Sequence, residues 1–232
     1  MRRATHAREL IDGVVPLADL AASLGDIDRL AAWFGGHALS LARVRRAARA
    51  VSRARALMVV DVGGGAGGFA RRVVRWARRR GRLVRVVVVE RDAAAAELAR
   101  RACAASPEIA IIRADATALP LAAESADVVH AALTLHHLEP EAAVIALAEM
   151  ARVARGRVVV NDLARSRLAL VLVWLATRVI AAHPISRHDG PLSVRRAYAA
   201  AEVADLFRRA GVPDVTVQRY HVIARLVAET AA

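Results

Sequence analysis

The chain has 232 residues, with 35 basic against 22 acidic side chains, a formal charge of +13, 56% hydrophobic residues and a single cysteine. That balance describes one globular domain and excludes a disordered or fibrous chain. Every basic residue is arginine, which excludes chemistries that need a lysine: the P-loop, the pyridoxal Schiff base and the Tyr-x-x-x-Lys dehydrogenase.

Met1–Leu10 is charged and has no apolar run behind a basic start, so no signal peptide is expected and a cytoplasmic protein is the default. Residues 1–56 read as a helical N-terminal cap, with Gly35-Gly36 as a break and Leu39–Arg55 as a basic amphipathic helix. From residue 57 the pattern changes to short β-branched runs alternating with helical ones. The predicted strands are Ala56–Val62, Leu83–Val89, Ile109–Ile112, Ala126–Leu133 and Arg157–Asn161. The predicted helices between them are Phe69–Arg80, Ala93–Ala104 and Pro140–Ala154. Strands this uniformly apolar are buried on both faces, which implies a doubly wound, mostly parallel α/β sheet.

An insertion at about 163–200 interrupts the alternation with an apolar stretch, Leu168–Ala182, and a turn-rich segment, His183–Ser193. The stretch contains Arg178 and falls short of the ~20 residues that span a bilayer. Its stripe Leu168, Leu172, Leu175 predicts core, with a substrate-facing or peripheral membrane role as alternatives. Helix Glu202–Ala210 and the runs Val215–Arg219 and Val222–Val227 complete the chain. So short a link between the last two forces an antiparallel hairpin, which brings the expected sheet to seven strands.

The net charge invites a nucleic-acid partner, because arginines that neutralise phosphates dominate non-specific affinity. Against this, the runs Arg45-Arg46, Arg71-Arg72 and Arg78-Arg79-Arg80 lie on helices whose other face is apolar, and 3% aromatics leave little to stack on bases. Cys103, on a predicted helix, reads as a small buried residue.

The strongest local signal is Val59-Val60-Asp61-Val62-Gly63-Gly64-Gly65-Ala66-Gly67-Gly68, between a strand and a helix. Glycines there let the backbone turn tightly and approach a ligand. Gly63, Gly65 and Gly68 satisfy G-x-G-x-x-G, with Glu90 placed as a dinucleotide site requires; Asp61, Gly63, Gly65 and Gly67 equally satisfy D-x-G-x-G-x-G. The glycine loop alone leaves both patterns open.

Downstream segments break the tie. Asp61–Gly67, Val86–Glu90, Arg113-Ala114-Asp115-Ala116 with Leu119-Pro120-Leu121, Ser125–Val129 and Leu133-Thr134-Leu135-His136-His137-Leu138 come in order across residues 57 to 162. In these the sequence resembles the class I S-adenosylmethionine-dependent methyltransferases, of the ubiquinone/menaquinone-biosynthesis type. The resemblance implies a Rossmann-like fold, S-adenosylmethionine as cofactor and a small-molecule acceptor.

It also implies that Asp61, Gly63, Gly65, Gly67, Glu90, Arg91, Asp115, Ala116 and Ala131 hold the cofactor. Asp61 at a strand end suits the ligand's ammonium, Glu90 both ribose hydroxyls, and Asp115 with the Ala116 N–H the adenine edge. Asp61 and Asp115 could instead be helix caps. His136 and His137 fall near the transferred methyl and could take a proton from an acceptor hydroxyl, as could His188 beside Asp189, although His-Asp-Gly is equally a turn. Displacement from a sulfonium needs no metal, and no spacing of His, Asp and Glu argues for one. The expected activity is methylation, at oxygen or carbon, of a small lipophilic or aromatic molecule. An RNA methyltransferase and an NAD-dependent oxidoreductase are the alternatives.

Overall fold

The computed structural model describes residues 1–5 and 7–231. Helices α1 (Leu17–Trp33) and α2 (Gly36–Ala47) precede the first strand, β1 (Leu57–Val62). There follow α3 (Gly68–Arg79), β2 (Val84–Glu90), α4 (Ala93–Cys103), β3 (Ile109–Arg113), β4 (Ala126–Ala132), α5 (Pro140–Val153) and β5 (Ala154–Leu163). The chain ends with α6 (Arg167–Ile180), α7 (Pro184–Arg196), α8 (Ala200–Arg209), β6 (Val215–Tyr220) and β7 (Arg225–Thr230).

The seven strands form one sheet in the order β3-β2-β1-β4-β5-β7-β6. The first five are parallel, and β7 pairs antiparallel with both β5 and β6. The expected doubly wound sheet closed by an antiparallel hairpin is therefore present. Each central strand splits its side chains between two cores because successive residues point to opposite faces. Val60, Val62, Val129 and Val160 pack with Leu147 and Met150 of α5 and Phe207 of α8. Leu57, Val59, Val128 and Val159 pack on the other face with Val44 of α2 and Phe69, Val73 and Val74 of α3. The strand order reverses between β1 and β4, and open α/β sheets bind ligands at such a switch, beyond the carboxyl ends of the strands.

Four expectations change. Helix α2 ends at Ala47, short of the expected Leu39–Arg55. The turn-rich segment His183–Ser193 is largely helix α7, begun by Pro184 at its first turn and capped by His183, whose ring accepts from the Ile185 N–H. Pro191 sits inside that helix. Gly190 is required there, since a Cβ would stand 2.5 Å from Thr177 Cγ2 of α6. The stripe on α6 is not core: Leu168 and Leu175 are about half exposed, with Val171, Trp174 and Val179 exposed beside them, and only Leu172 of the three turns to the interior cavity. The last strand begins three residues late because His221–Ile223 form a 3-10 turn that Ala224 closes in the left-handed region, φ 54°. Among the described residues no helix is long and apolar enough to cross a membrane.

Candidate active site

Asp61, His130 and Asn161 lie on one face at the carboxyl ends of three neighbouring strands, and register sets Asp61 opposite His130. That face is covered by α2, so the three polar groups are buried and must find partners. Asn161 Nδ2 donates to Ser40 Oγ and to the Gly36 carbonyl, both at 2.8 Å. Ser40 is thereby left to donate to His130 Nε2 (2.8 Å), so the imidazole carries its proton on Nδ1 and donates it to Asp61 Oδ1 (2.8 Å). Phe69 packs over this ring at 4.2 Å between centroids. Two acceptor atoms remain without a partner among the described residues, Asp61 Oδ2 and Asn161 Oδ1. Both residues line the same cavity, where a buried unpaired carboxylate oxygen would be satisfied by a cationic ligand group.

The glycine loop runs from β1 into α3. Gly63 has φ 66° and a Cβ on it would meet Thr134 Oγ1 at 2.5 Å, so only glycine fits between strand and cavity. Glu90 ends β2, and its two oxygens accept from the Gly65 N–H (2.9 Å) and the Asp92 N–H (3.0 Å). The carboxylate thus shapes the loop while facing the cavity, with lone pairs left for ribose hydroxyls. Asp115 accepts through Oδ1 from the Thr117 hydroxyl and N–H, contacts that hold its carboxyl below the usual range. Its Oδ2 stands 3.8 Å from Arg91.

One cavity of about 690 Å³ collects these groups: Asp61, Gly63, Gly65, Glu90, Arg91, Asp115, Ala116, His136 and His137 all line it. Three expected site residues do not. Gly67 (φ 71°) packs its α-carbon against Cys103, where a Cβ would stand 2.7 Å from the sulfur; its role is to seat α3 on α4. Ala131 is buried within β4, and its neighbour Ala132 reaches the cavity instead. His188 is exposed on the outer side of α7, bonded to Asp189 (2.7 Å). Asp189 itself is buried and accepts from the Leu10 and Ile11 N–H groups, both at 2.9 Å.

Residues 59–156 match a family model described as a methyltransferase domain. That segment, about two fifths of the chain, resembles a methyltransferase domain. Among solved structures, the methyltransferase fold is similar to a SAM-dependent methyltransferase from Aquifex aeolicus, at 19% identity and a TM-score of 0.54, with 75% of this chain and 80% of that one covered. It is also similar to the CMeT domain of the citrinin polyketide synthase (14%, TM-score 0.59, 77% and 47% covered). A third is an O-methyltransferase from neocarzinostatin biosynthesis in complex with S-adenosyl-L-homocysteine and 1,4-dihydroxy-2-naphthoic acid (20%, TM-score 0.53, 78% and 51%). The chain spans about half the length of the last two. A search of curated proteins gives no match. S-adenosylmethionine is the methyl donor of that family, and this cavity offers it a buried unpaired Asp61 oxygen together with the Glu90 and Asp115 carboxylates.

The other end of the cavity contains residues that sequence reasoning missed. Glu9, 127 positions before His136, lies 3.6 Å from His136 Nε2 and 3.8 Å from His137 Nε2. Burial pushes its carboxyl up to about 7, against the opposing charges of His137 and Arg196. His136 is buried, with Nδ1 on Asp162 (2.6 Å); burial raises the Asp162 carboxyl, but His136 outweighs it and holds it down to about 2. His137 Nδ1 meets Asp12 at 2.9 Å. Asp12 is also bonded by Arg196 (2.8 Å); burial opposes, yet the His137 and Arg196 contacts hold it well below the usual carboxylate range. Only the adjacent His136-His137 was legible in sequence, because its partners come from the N-terminal segment, β5 and α7.

Proposed function

We propose that the protein transfers a methyl group from S-adenosylmethionine to an oxygen or carbon of a small lipophilic or aromatic acceptor. The observation that carries this reading is the division of one cavity into two chemically different ends. The donor end offers the glycine loop, Glu90, Asp115 and the unpaired Asp61 oxygen. Elsewhere the cavity is walled by apolar side chains, Leu20 of α1 with Leu172, Val173 and Ala176 of α6, while Leu24 of α1 lies against Gly65 of the glycine loop. Apolar walls with a few convergent polar groups suit a small organic ligand. Away from the loop His136, His137 and Glu9 form a compact polar pole, which supports their placement against the acceptor's reacting atom.

Bond making and breaking need alignment above all: the acceptor atom, the methyl carbon and the sulfonium sulfur must lie in line, and enclosure removes the water that would solvate the nucleophile. The chain's contribution is to clamp the donor by its ammonium, ribose and adenine so that its methyl faces the apolar end. The neighbour that contains 1,4-dihydroxy-2-naphthoic acid supports an aromatic, hydroxylated acceptor here.

Titration calorimetry with S-adenosylmethionine and with NAD tests the donor side: binding of the sulfonium alone is expected, and tight NAD binding with none to the sulfonium overturns the reading. Mass spectrometry of phenolic, quinol and polyketide acceptors incubated with enzyme and donor should show gain of one methyl. RNA methylated in preference to all of them would reassign the acceptor.

A further inference from the structure

Two imidazoles and one carboxylate face each other at the acceptor end. His136 and His137 each commit Nδ1 to a carboxylate, Asp162 (2.6 Å) and Asp12 (2.9 Å), and the His136 N–H also donates to Asp162 (3.1 Å). A proton on each Nδ1 leaves both Nε2 lone pairs pointing at Glu9. The three donor atoms lie within 4.8 Å of one another, the two histidine-to-glutamate separations being 3.6 and 3.8 Å. Glu9 is 95% buried, and its Oε1 has no hydrogen-bond partner among the described residues. With each imidazole neutral and its proton on Nδ1, these three atoms turn lone pairs toward one another in a buried place that a positive centre would fill.

We propose that Glu9 and the Nε2 atoms of His136 and His137 bind one divalent first-row transition-metal ion, with its open positions facing the cavity. Two imidazoles with one carboxylate and vacant coordination sites are a donor set of catalytic zinc and of non-haem iron; magnesium and calcium prefer all-oxygen ligands. Donor atoms on a tetrahedral zinc stand about 3.4 Å apart, so the observed separations close onto an ion by shifts of an ångström or less. The surroundings match what such ions need beyond their ligands, since each histidine is oriented by a carboxylate on its other nitrogen.

This deepens the proposed function and rests on it for its chemistry. An acceptor hydroxyl entering an open position loses its proton to water more readily. Its oxygen then forms the bond to the methyl carbon as the carbon–sulfur bond breaks, and the electron pair of that bond stays on sulfur as S-adenosylhomocysteine. The metal site itself needs no acceptor to be detected.

The test titrates chelator-treated, tag-free protein with Zn²⁺ and Co²⁺ by calorimetry, following the visible absorption of bound cobalt. One ion per chain is expected, with Glu9→Gln weakening zinc binding at least ~100-fold and Asp162→Asn roughly 10–100-fold. S-adenosylmethionine affinity of each variant reports an intact fold; should Glu9→Gln fail that check, His137→Gln takes its place. Absence of stoichiometric binding to the wild-type protein, or binding indifferent to these substitutions, overturns the metal site and leaves the pair as a proton-only relay. Donor binding to the metal-free protein is measured in parallel: if it fails while the ion binds, the methyltransferase reading falls and the site stands, and the reverse outcome separates them the other way.

Discussion

The two ends of the cavity are built in opposite ways. The donor end comes from strand tips, where backbone N–H groups of adjoining loops hold Glu90 and Asp115, and Asp61 alone leans on a distant side chain, His130. The acceptor end is assembled across the whole chain. Asp189 of α7 holds the Leu10 and Ile11 N–H groups, Arg196 holds Asp12 and the His137 carbonyl, and Arg3 reaches the carbonyls of Arg196 and Leu138. A site made of local loops can be recognised piece by piece, whereas one made of long-range ion pairs exists only in the finished fold.

If the two ends are separable, damage to one should leave the other working. Arg196→Met removes a buried cation from between Glu9 and Asp12, leaving carboxylates facing each other. It should cost about 3 kcal/mol of stability, read by chemical denaturation, while S-adenosylmethionine affinity of the folded fraction stays within twofold. A large loss of donor affinity would show the ends to be one unit. Glu90→Ala should do the reverse: donor binding weakened about 30-fold or more in calorimetry, with a smaller change in stability. Unchanged affinity would remove Glu90 from the ribose.

A milder probe lies at the far side of the sheet, away from both ends. Asp127 is buried and bonded by Arg55, Arg155 and the Met58 N–H; burial raises its carboxyl, but these partners win and hold it well below its ordinary 3.8. A depressed carboxylate stabilises the fold above the unfolded value and loses that contribution as the pH falls through the folded one. Stability should therefore decline below pH about 4. Asp127→Asn should flatten that decline at a cost of about 1 kcal/mol at neutral pH, small because both guanidinium groups are partly exposed. A decline that persists in the variant would assign acid sensitivity to the acceptor end, where Asp12 and Asp162 are also depressed.

The sheet was legible because parallel strands buried on both faces read as unbroken runs such as Val86–Val89, and because glycines at a strand end are dictated by close approach rather than by packing. Gly67 illustrates the limit: it belongs to the motif, yet its missing Cβ accommodates Cys103 rather than a ligand. His130 was passed over, being one polar residue inside an apolar strand, although Asp61 opposite it needs that ring. Helix α7 was hidden by Pro184, Gly190 and Pro191, which mark turns in isolation and here serve a helix start and a close approach to α6. Glu9 carries no local signal, since neither periodicity nor spacing distinguishes it from any acid in a charged N-terminal segment.

The chain from Asp61 through His130 and Ser40 to Asn161 ties β1, β4 and β5 to helix α2, and the same chain ends in the unpaired Asp61 oxygen that we propose for the donor's ammonium. Docking of that helix and saturation with donor are therefore thermodynamically linked. At a hundredfold excess over its dissociation constant a ligand adds about 2.7 kcal/mol to the folded state. The protein's lifetime against unfolding and proteolysis should rise and fall with the supply of its own methyl donor.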